Sequence, residues 1–158
     1  MPNYTLNGAS NSRFGNVPYG NEAVYRFPVE TIATGGLASI AGVRTPLAVN
    51  DVVSIGRLQA GMVPDTVKVI VSTAFGAGVT ASFGFAYADG EDSTEVPQSP
   101  TYFGTGIVLS AVGEIQVPLK TRLLKLPKDV TMTMTITGAA VAKVAFADVI
   151  VKGELLGD

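Results

Sequence analysis

The chain has 158 residues, the length of a single domain, and only 15% of them are charged while 47% are hydrophobic. It contains no cysteine and no histidine, which excludes a disulfide framework, zinc–thiolate sites, Ser-His-Asp and Cys-His hydrolases and H-E-x-x-H metalloproteases. A formal net charge of −2 offers no electrostatic footprint for nucleic acid.

The first 21 residues differ in composition from the rest. Asn3, Asn7, Asn11, Asn16 and Asn21 lie here, with Gly8, Gly15, Gly20, Pro2 and Pro18 among them, and these residue types oppose regular structure. Tyr4, Leu6, Phe14, Val17 and Tyr19 are spread along the same stretch, whereas disordered tails are poor in aromatics. Two readings stand: a floppy terminus, or an extended arm over 1–21 that docks its apolar residues on a partner. The aromatics favour the arm.

From Glu22 onward the pattern is β, so a second unit, 22–158, is expected. Glu22 to Ile32 carries Val24, Tyr25, Phe27, Val29 and Ile32, and Pro28 within it suggests an edge strand or a bulge. Thr34 to Pro46 reads as a connection. Strands follow at Asp51 to Leu58 and at Thr66 to Ser72, where Val67, Val69 and Val71 share one face and Lys68 the other. Between Val79 and Ala88, Ala81, Phe83, Phe85 and Tyr87 alternate with small residues and read as core. Ile107 to Ser110, Glu114 to Leu119 and Arg122 to Leu126 are shorter candidates.

The cleanest signal is Val130-Thr-Met-Thr-Met-Thr-Ile-Thr137, a strict alternation that predicts a half-buried strand with its hydroxyls toward water or a neighbour. A last strand is expected from Val141 to Lys152, with Val144, Phe146 and Ile150 on one face. No stretch of helical length has the 3.6-residue period with caps. The expected fold is all-β: an antiparallel β-sandwich, jelly-roll-like, with an extended N-terminal arm.

Candidate chemistry is sparse. Asp89, Glu91, Asp92 and Glu95 crowd one segment, yet their spacing is not that of a calcium loop. They read as a solvated acidic loop available to a basic patch on a partner, and no metal or cofactor is expected. No basic residue lies between Lys68 and Lys120, whereas Lys120, Arg122, Lys125 and Lys128 follow closely. This predicts an acidic end and a basic end of the molecule, or else lysines that simply solvate a strand pair. Met1 to Asn7 has no secretory pattern, and Ala139 to Val151 is broken by Lys143 and Asp148, too short and charged to cross a bilayer. A soluble protein made in the cytoplasm, without membrane partner, is expected.

Asn50-Asp-Val-Val-Ser-Ile-Gly-Arg-Leu-Gln-Ala-Gly61, Val67-Lys-Val-Ile-Val-Ser-Thr-Ala-Phe75 and Phe83-Gly-Phe-Ala-Tyr-Ala-Asp-Gly-Glu-Asp92 together resemble small virion structural proteins of tailed bacteriophages, of the capsid decoration or cement type. The resemblance covers roughly Asn50 to Glu114. It implies a β-sandwich subunit on the capsid exterior that clamps major capsid proteins, with no catalytic residues to carry over; on such a shell a dimer or trimer is expected, because accessory subunits commonly follow the local symmetry. Tyr4, Leu6, Phe14, Val17 and Tyr19 of the arm, and Asp89, Glu91, Asp92 and Glu95 of the loop, are the expected contact residues. Three other readings share the texture: a phage tail or neck subunit, a glycan-binding sandwich, and a hydrolase using two of the four carboxylates.

Overall fold

The computed structural model describes residues 3–5, 21–39, 45–119 and 123–156. Among these there are nine strands and no helix: β1 (Asn3–Thr5), β2 (Glu22–Thr31), β3 (Val52–Leu58), β4 (Met62–Thr73), β5 (Thr80–Tyr87), β6 (Ser99–Val108), β7 (Gly113–Gln116), β8 (Val130–Thr137) and β9 (Ala145–Leu155). They form two sheets, ordered β1-β3-β8-β5-β6 and β2-β9-β4-β7.

The pairing follows one rule. β2 pairs with β9, β3 with β8, β4 with β7 and β5 with β6, all antiparallel. The chain from β2 to β9 is thus one long hairpin folded over on itself, first strand against last. Its two further pairings, β4 with β9 and β5 with β8, roll that hairpin into two facing sheets. This is jelly-roll connectivity. The all-β sandwich expected from the alternation is the fold observed.

Each inward face is apolar because side chains alternate across a strand. In β2, Tyr25, Phe27 and Val29 point inward while Val24, Arg26, Pro28 and Glu30 point out. Pro28 is tolerated because β2 is an edge strand, bonded on one side only. Val67, Val69 and Val71 of β4, and Ala81, Phe83, Phe85 and Tyr87 of β5, are buried as the period-2 pattern requires. In β9 the buried face is Ala145, Ala147, Val149 and Val151; Phe146 and Ile150 lie half-buried on the outer face, and Val144 is exposed before the strand starts.

Three expectations are corrected. Ile107 to Ser110 is no separate strand but overlaps the end of β6, which begins at Ser99 in a stretch of Ser, Pro and Thr that reads as loop. β6 exists because β5 offers it a glycine: a Cβ on Gly84 would overlap the Ser99 carbonyl oxygen and Pro100. Leu123–Leu126 is not a strand. It is pinned irregularly to the β3–β4 turn, with Leu126 N–H donating to Met62 O at 2.8 Å and Gly61 N–H to Leu126 O at 2.8 Å. Finally, the threonine face of β8 is less wet than expected. β8 is the central strand of its sheet, and Thr133 sits between Ser54 and Gly84 with 6% exposure. The Oγ1 atoms of Thr133 and Thr135 are out of water and lack a hydrogen-bond partner, whereas Thr137 Oγ1 lies 2.8 Å from Thr80 Oγ1.

An inaccessible, unpartnered hydroxyl costs on the order of 1 kcal/mol or more. Thr133→Val keeps the branched shape and removes it, so urea unfolding is expected to show a gain of about 1 kcal/mol. Gly84→Ala drives a methyl into the β6 backbone and is expected to cost about 2 kcal/mol or more by the same measurement.

Candidate docking surfaces

The antiparallel roll brings alternate connections to opposite ends of the sandwich. The β2–β3, β4–β5, β6–β7 and β8–β9 connections gather at one end, where the Leu47–Val141 bridge links the first to the last and Phe75 N–H donating to Leu109 O at 2.9 Å links the middle two. The β3–β4, β5–β6 and β7–β8 connections gather at the other.

The second end carries the acidic segment. Asp89, Glu91, Asp92 and Glu95 all lie in the β5–β6 loop and are exposed. The loop is knitted locally, as Asx chemistry favours. Asp89 Oδ1 accepts from Glu91 N–H at 2.9 Å, and Asp92 Oδ1 accepts from Ser93 N–H at 2.8 Å and Gln98 N–H at 2.7 Å. Gln98 Oε1 in turn accepts from Tyr87 N–H at 3.0 Å, and the Tyr87 hydroxyl donates to Val96 O at 2.6 Å. Burial pushes the Tyr87 phenol above its ordinary range.

Lys128 comes to this loop from the β7–β8 connection. Its ammonium donates to Asp89 Oδ2 at 2.8 Å and sits 5.5 Å from the Tyr87 ring centroid. That hydrogen bond holds the Asp89 carboxyl below the usual carboxylate range and raises Lys128 above the usual lysine range. The expectation of separate acidic and basic ends is therefore corrected for the residues described. Lys125 and Lys128 share the acidic end, because the β5–β6 and β7–β8 connections open on the same side of the roll. Lys120 and Arg122 lie outside the described residues. Among the described residues no group of three Asp or Glu is arranged to hold a metal ion.

The opposite end is different in kind. Its described residues hold two charges, Asp51 and Lys143. Asp51 is turned inward at 4% exposure, its Oδ2 accepting from Ala48 N–H at 2.9 Å. Around them stand exposed Ala33, Pro46, Ala77, Ala111 and Ala142, with Val49 at 42%, Val112 at 68% and Val144 at 50% exposure. Val108, at the end of β6, adds a fourth outward valine.

The two sheet faces repeat this division. The outer face of β2-β9-β4-β7 is laced with ion pairs: Arg26–Asp148 at 2.8 Å, Lys152–Glu22 at 2.6 Å and Lys68–Glu114 at 3.2 Å. Asp148 is buried under its arginine; the other two pairs are exposed and add ~0–1 kcal/mol each. The outward positions of the other sheet carry Val52, Ser54, Thr80, Ser82, Ala86, Thr131, Thr133, Thr135 and Thr137, of which Ser82 and Thr133 are already buried, with Arg57 near the acidic end. Burying an unpaired charge costs far more than burying an unpaired hydroxyl, and burying small apolar groups is favourable. The described residues thus divide by charge, with ion pairs and the acidic loop on one sheet face and one end and few charges on the other face and end, while exposed apolar side chains stand on both sides, Val24, Leu124 and Leu156 on the charged one.

Of the arm residues, Tyr4 lies in β1, its backbone opposite Val53; Leu6, Phe14, Val17 and Tyr19 fall outside the described residues. Sequence reasoning did not find the valine-rich end. Its members are far apart in the chain, and the legible trace was the scarcity of charge in four separate connections.

No protein-family model matches the chain, and no curated protein matches it in sequence. Solved structures match it in fold. A chain in the capsid of Ralstonia phage GP4 aligns with TM-score 0.66 at 14% identity, over 99% of this chain and 100% of that one. A chain of the cyanophage Pam1 capsid asymmetric unit aligns with TM-score 0.57 at 14% identity, over 94% of each. A chain of the acid-stable capsid of Helicobacter pylori bacteriophage KHP30 aligns with TM-score 0.51 at 16% identity, over 85% of this chain and 89% of that one. At these identities the likeness is one of fold.

The Lys128–Asp89 pair has a defined pH signature. Asp89 is depressed in the folded state, so its contribution is present above the unfolded carboxylate pKa of about 3.9 and is lost as pH falls through the lower folded value. Lys128 is raised, so its contribution is present below about 10.4 and is lost as pH rises through the higher folded value. Asp89→Asn is expected to flatten the acid limb of a melting-temperature profile between pH 2 and about 5, because the variant already lacks at neutral pH the contribution that the parent loses on acidification.

Proposed function

We propose that this protein is a structural component of a bacteriophage virion, a decoration subunit that binds the outer surface of the capsid and stabilises contacts between major capsid proteins. The observation that carries the reading is the end-to-end fold likeness to a chain of the GP4 capsid, which spans all of that chain and nearly all of this one. A match of that extent supports a shared fold along the whole alignment rather than a local likeness.

The surface division supports the same reading. A subunit that stays on a shell needs one side that is inexpensive to desolvate and another that keeps the particle soluble. In this reading the end bearing Val49, Val112 and Val144 sits against the capsid, where apolar area is worth ~25 cal/mol per Å² before ordering costs. The 1–21 segment, with Tyr4, Leu6, Phe14, Val17 and Tyr19, adds contacts across the junction. Asp89, Glu91, Asp92 and Glu95 then lie away from the shell, open to an adjoining accessory subunit. Many copies on one lattice multiply a modest single-site affinity. The reading assigns the chain no reaction and no cofactor.

The test is to count copies and to spoil the valine-rich end. Quantitative mass spectrometry of purified particles is expected to find the chain at hundreds of copies per head, and heads made without it are expected to close. The double variant V112D/V144D is expected to keep its circular dichroism and lose at least ten-fold in particle occupancy. A handful of copies indicates a tail or neck subunit. Failure of heads to close indicates a principal shell subunit, and either result overturns the proposal.

A further inference from the structure

β1 is anomalous among the strands. Every other pair in both sheets is antiparallel, whereas Asn3, Tyr4 and Thr5 run parallel to Val52, Val53 and Ser54 at the outer edge of β3. A parallel neighbour cannot be delivered by a tight turn; it needs a long connection. The connection from β1 to β3 is residues 6–51 and includes all of β2; within it residues 6–21 tether β1 to the start of β2, and fully extended they would reach roughly 50 Å. A domain of this length has a radius of gyration of roughly 15 Å. The tether is therefore longer than the sandwich is wide, and its length does not bind β1 to its own β3.

Three residues are a weak anchor. Each backbone hydrogen bond nets about 1 kcal/mol, while ordering a residue costs about 1–2 kcal/mol. Whether the edge is occupied then depends on the local concentration of a fitting strand. The strand with a demonstrated fit to β3 is Asn3–Thr5 itself, and every copy of the chain carries it. Exchange between copies keeps the same hydrogen bonds and adds a link between subunits, which makes it inexpensive. The approach is unobstructed by charge, since the face adjoining this edge is the serine–threonine face, with Arg57 at its far end.

We infer that β3 is a docking edge for the β1 strand of a second copy, so that neighbouring subunits are joined by strand exchange. A paired edge also blunts the aggregation hazard of an open β3. The inference concerns contacts between copies and holds whether or not they sit on a capsid, so its failure leaves the proposed function standing.

The chain has no cysteine, so introduced thiols report cleanly. Thr5 and Ser54 are register partners, and adjacent strands about 4.8 Å apart lie within the Cα range of a disulfide. A tagged T5C copy and an untagged S54C copy are mixed at about 1 mM, the effective concentration that adjoining subunits impose, and oxidised. The expected product is a covalent heterodimer of summed mass. The T5C/S54C double variant is expected to give ladders at that concentration. An internal bond alone in the double variant, with no heterodimer in the mixture, overturns the inference, as does the absence of any bond. The Asn3→Cys and Val52→Cys pair, also in register, repeats the measurement should the first pair disturb folding.

Discussion

The constraint from which the rest follows is the mutual burial of two apolar sheet faces. Phe27 and Val149 from one sheet meet Ile55, Phe83, Phe103, Met132 and Met134 from the other, all essentially without solvent exposure. With no disulfide available, this dry layer holds the molecule together, each large side chain worth ~1.5–3 kcal/mol on burial. The close fit shows where backbone meets side chain. Gly56 faces inward, and a Cβ there would overlap the ring of Phe27. Because the first strand of the roll must find the last, the contacts are long-range, the class of topology that folds slowly.

Satisfying the core leaves each sheet an outer face, and the two outer faces differ. The β2-β9-β4-β7 face spends its charges on cross-strand pairs, while the β1-β3-β8-β5-β6 face is built from hydroxyls and small residues. The cost of the second choice is visible at Thr133 and Thr135, whose hydroxyl oxygens are neither wet nor bonded. The same economy of charge at the end containing Val49, Val112 and Val144 makes the low overall charge a property of position as well as of composition.

The acidic segment illustrates how crowded carboxylates can be structural. Asp92 closes the β5–β6 loop by accepting two backbone N–H groups, and Asp89 is engaged by Glu91 N–H and Lys128. Two of the four acids are thus committed to holding the loop, with Val96 tucked beneath them at 3% exposure. Glu95 is left pointing outward, and Glu91 reaches Lys128 only at 4.0 Å. The loop's shape is a product of its own short-range hydrogen bonds, with Lys128 brought to it from a distant connection.

What the sequence determined by itself is whatever depends on neighbours one or two positions away. Strict alternation at Val130–Thr137 and at Val79–Ala88 set the inward faces of β8 and β5, because side-chain direction in a strand flips with each residue. Pro28 marked an edge because it lacks a donor, and the missing His and Cys removed whole classes of chemistry. The tertiary structure decided what depends on distant partners. Ser99–Val108 is a strand because Gly84 and the rest of β5 accept it, not because Ser, Pro and Thr favour one. Lys128 lies beside Asp89, and Val49, Val112 and Val144 share an end, because antiparallel rolling returns alternate connections to the same side. Local periodicity carries no record of which loops will meet; only the long-range pairing of strands, driven by closing the dry layer between the sheets, brings them together.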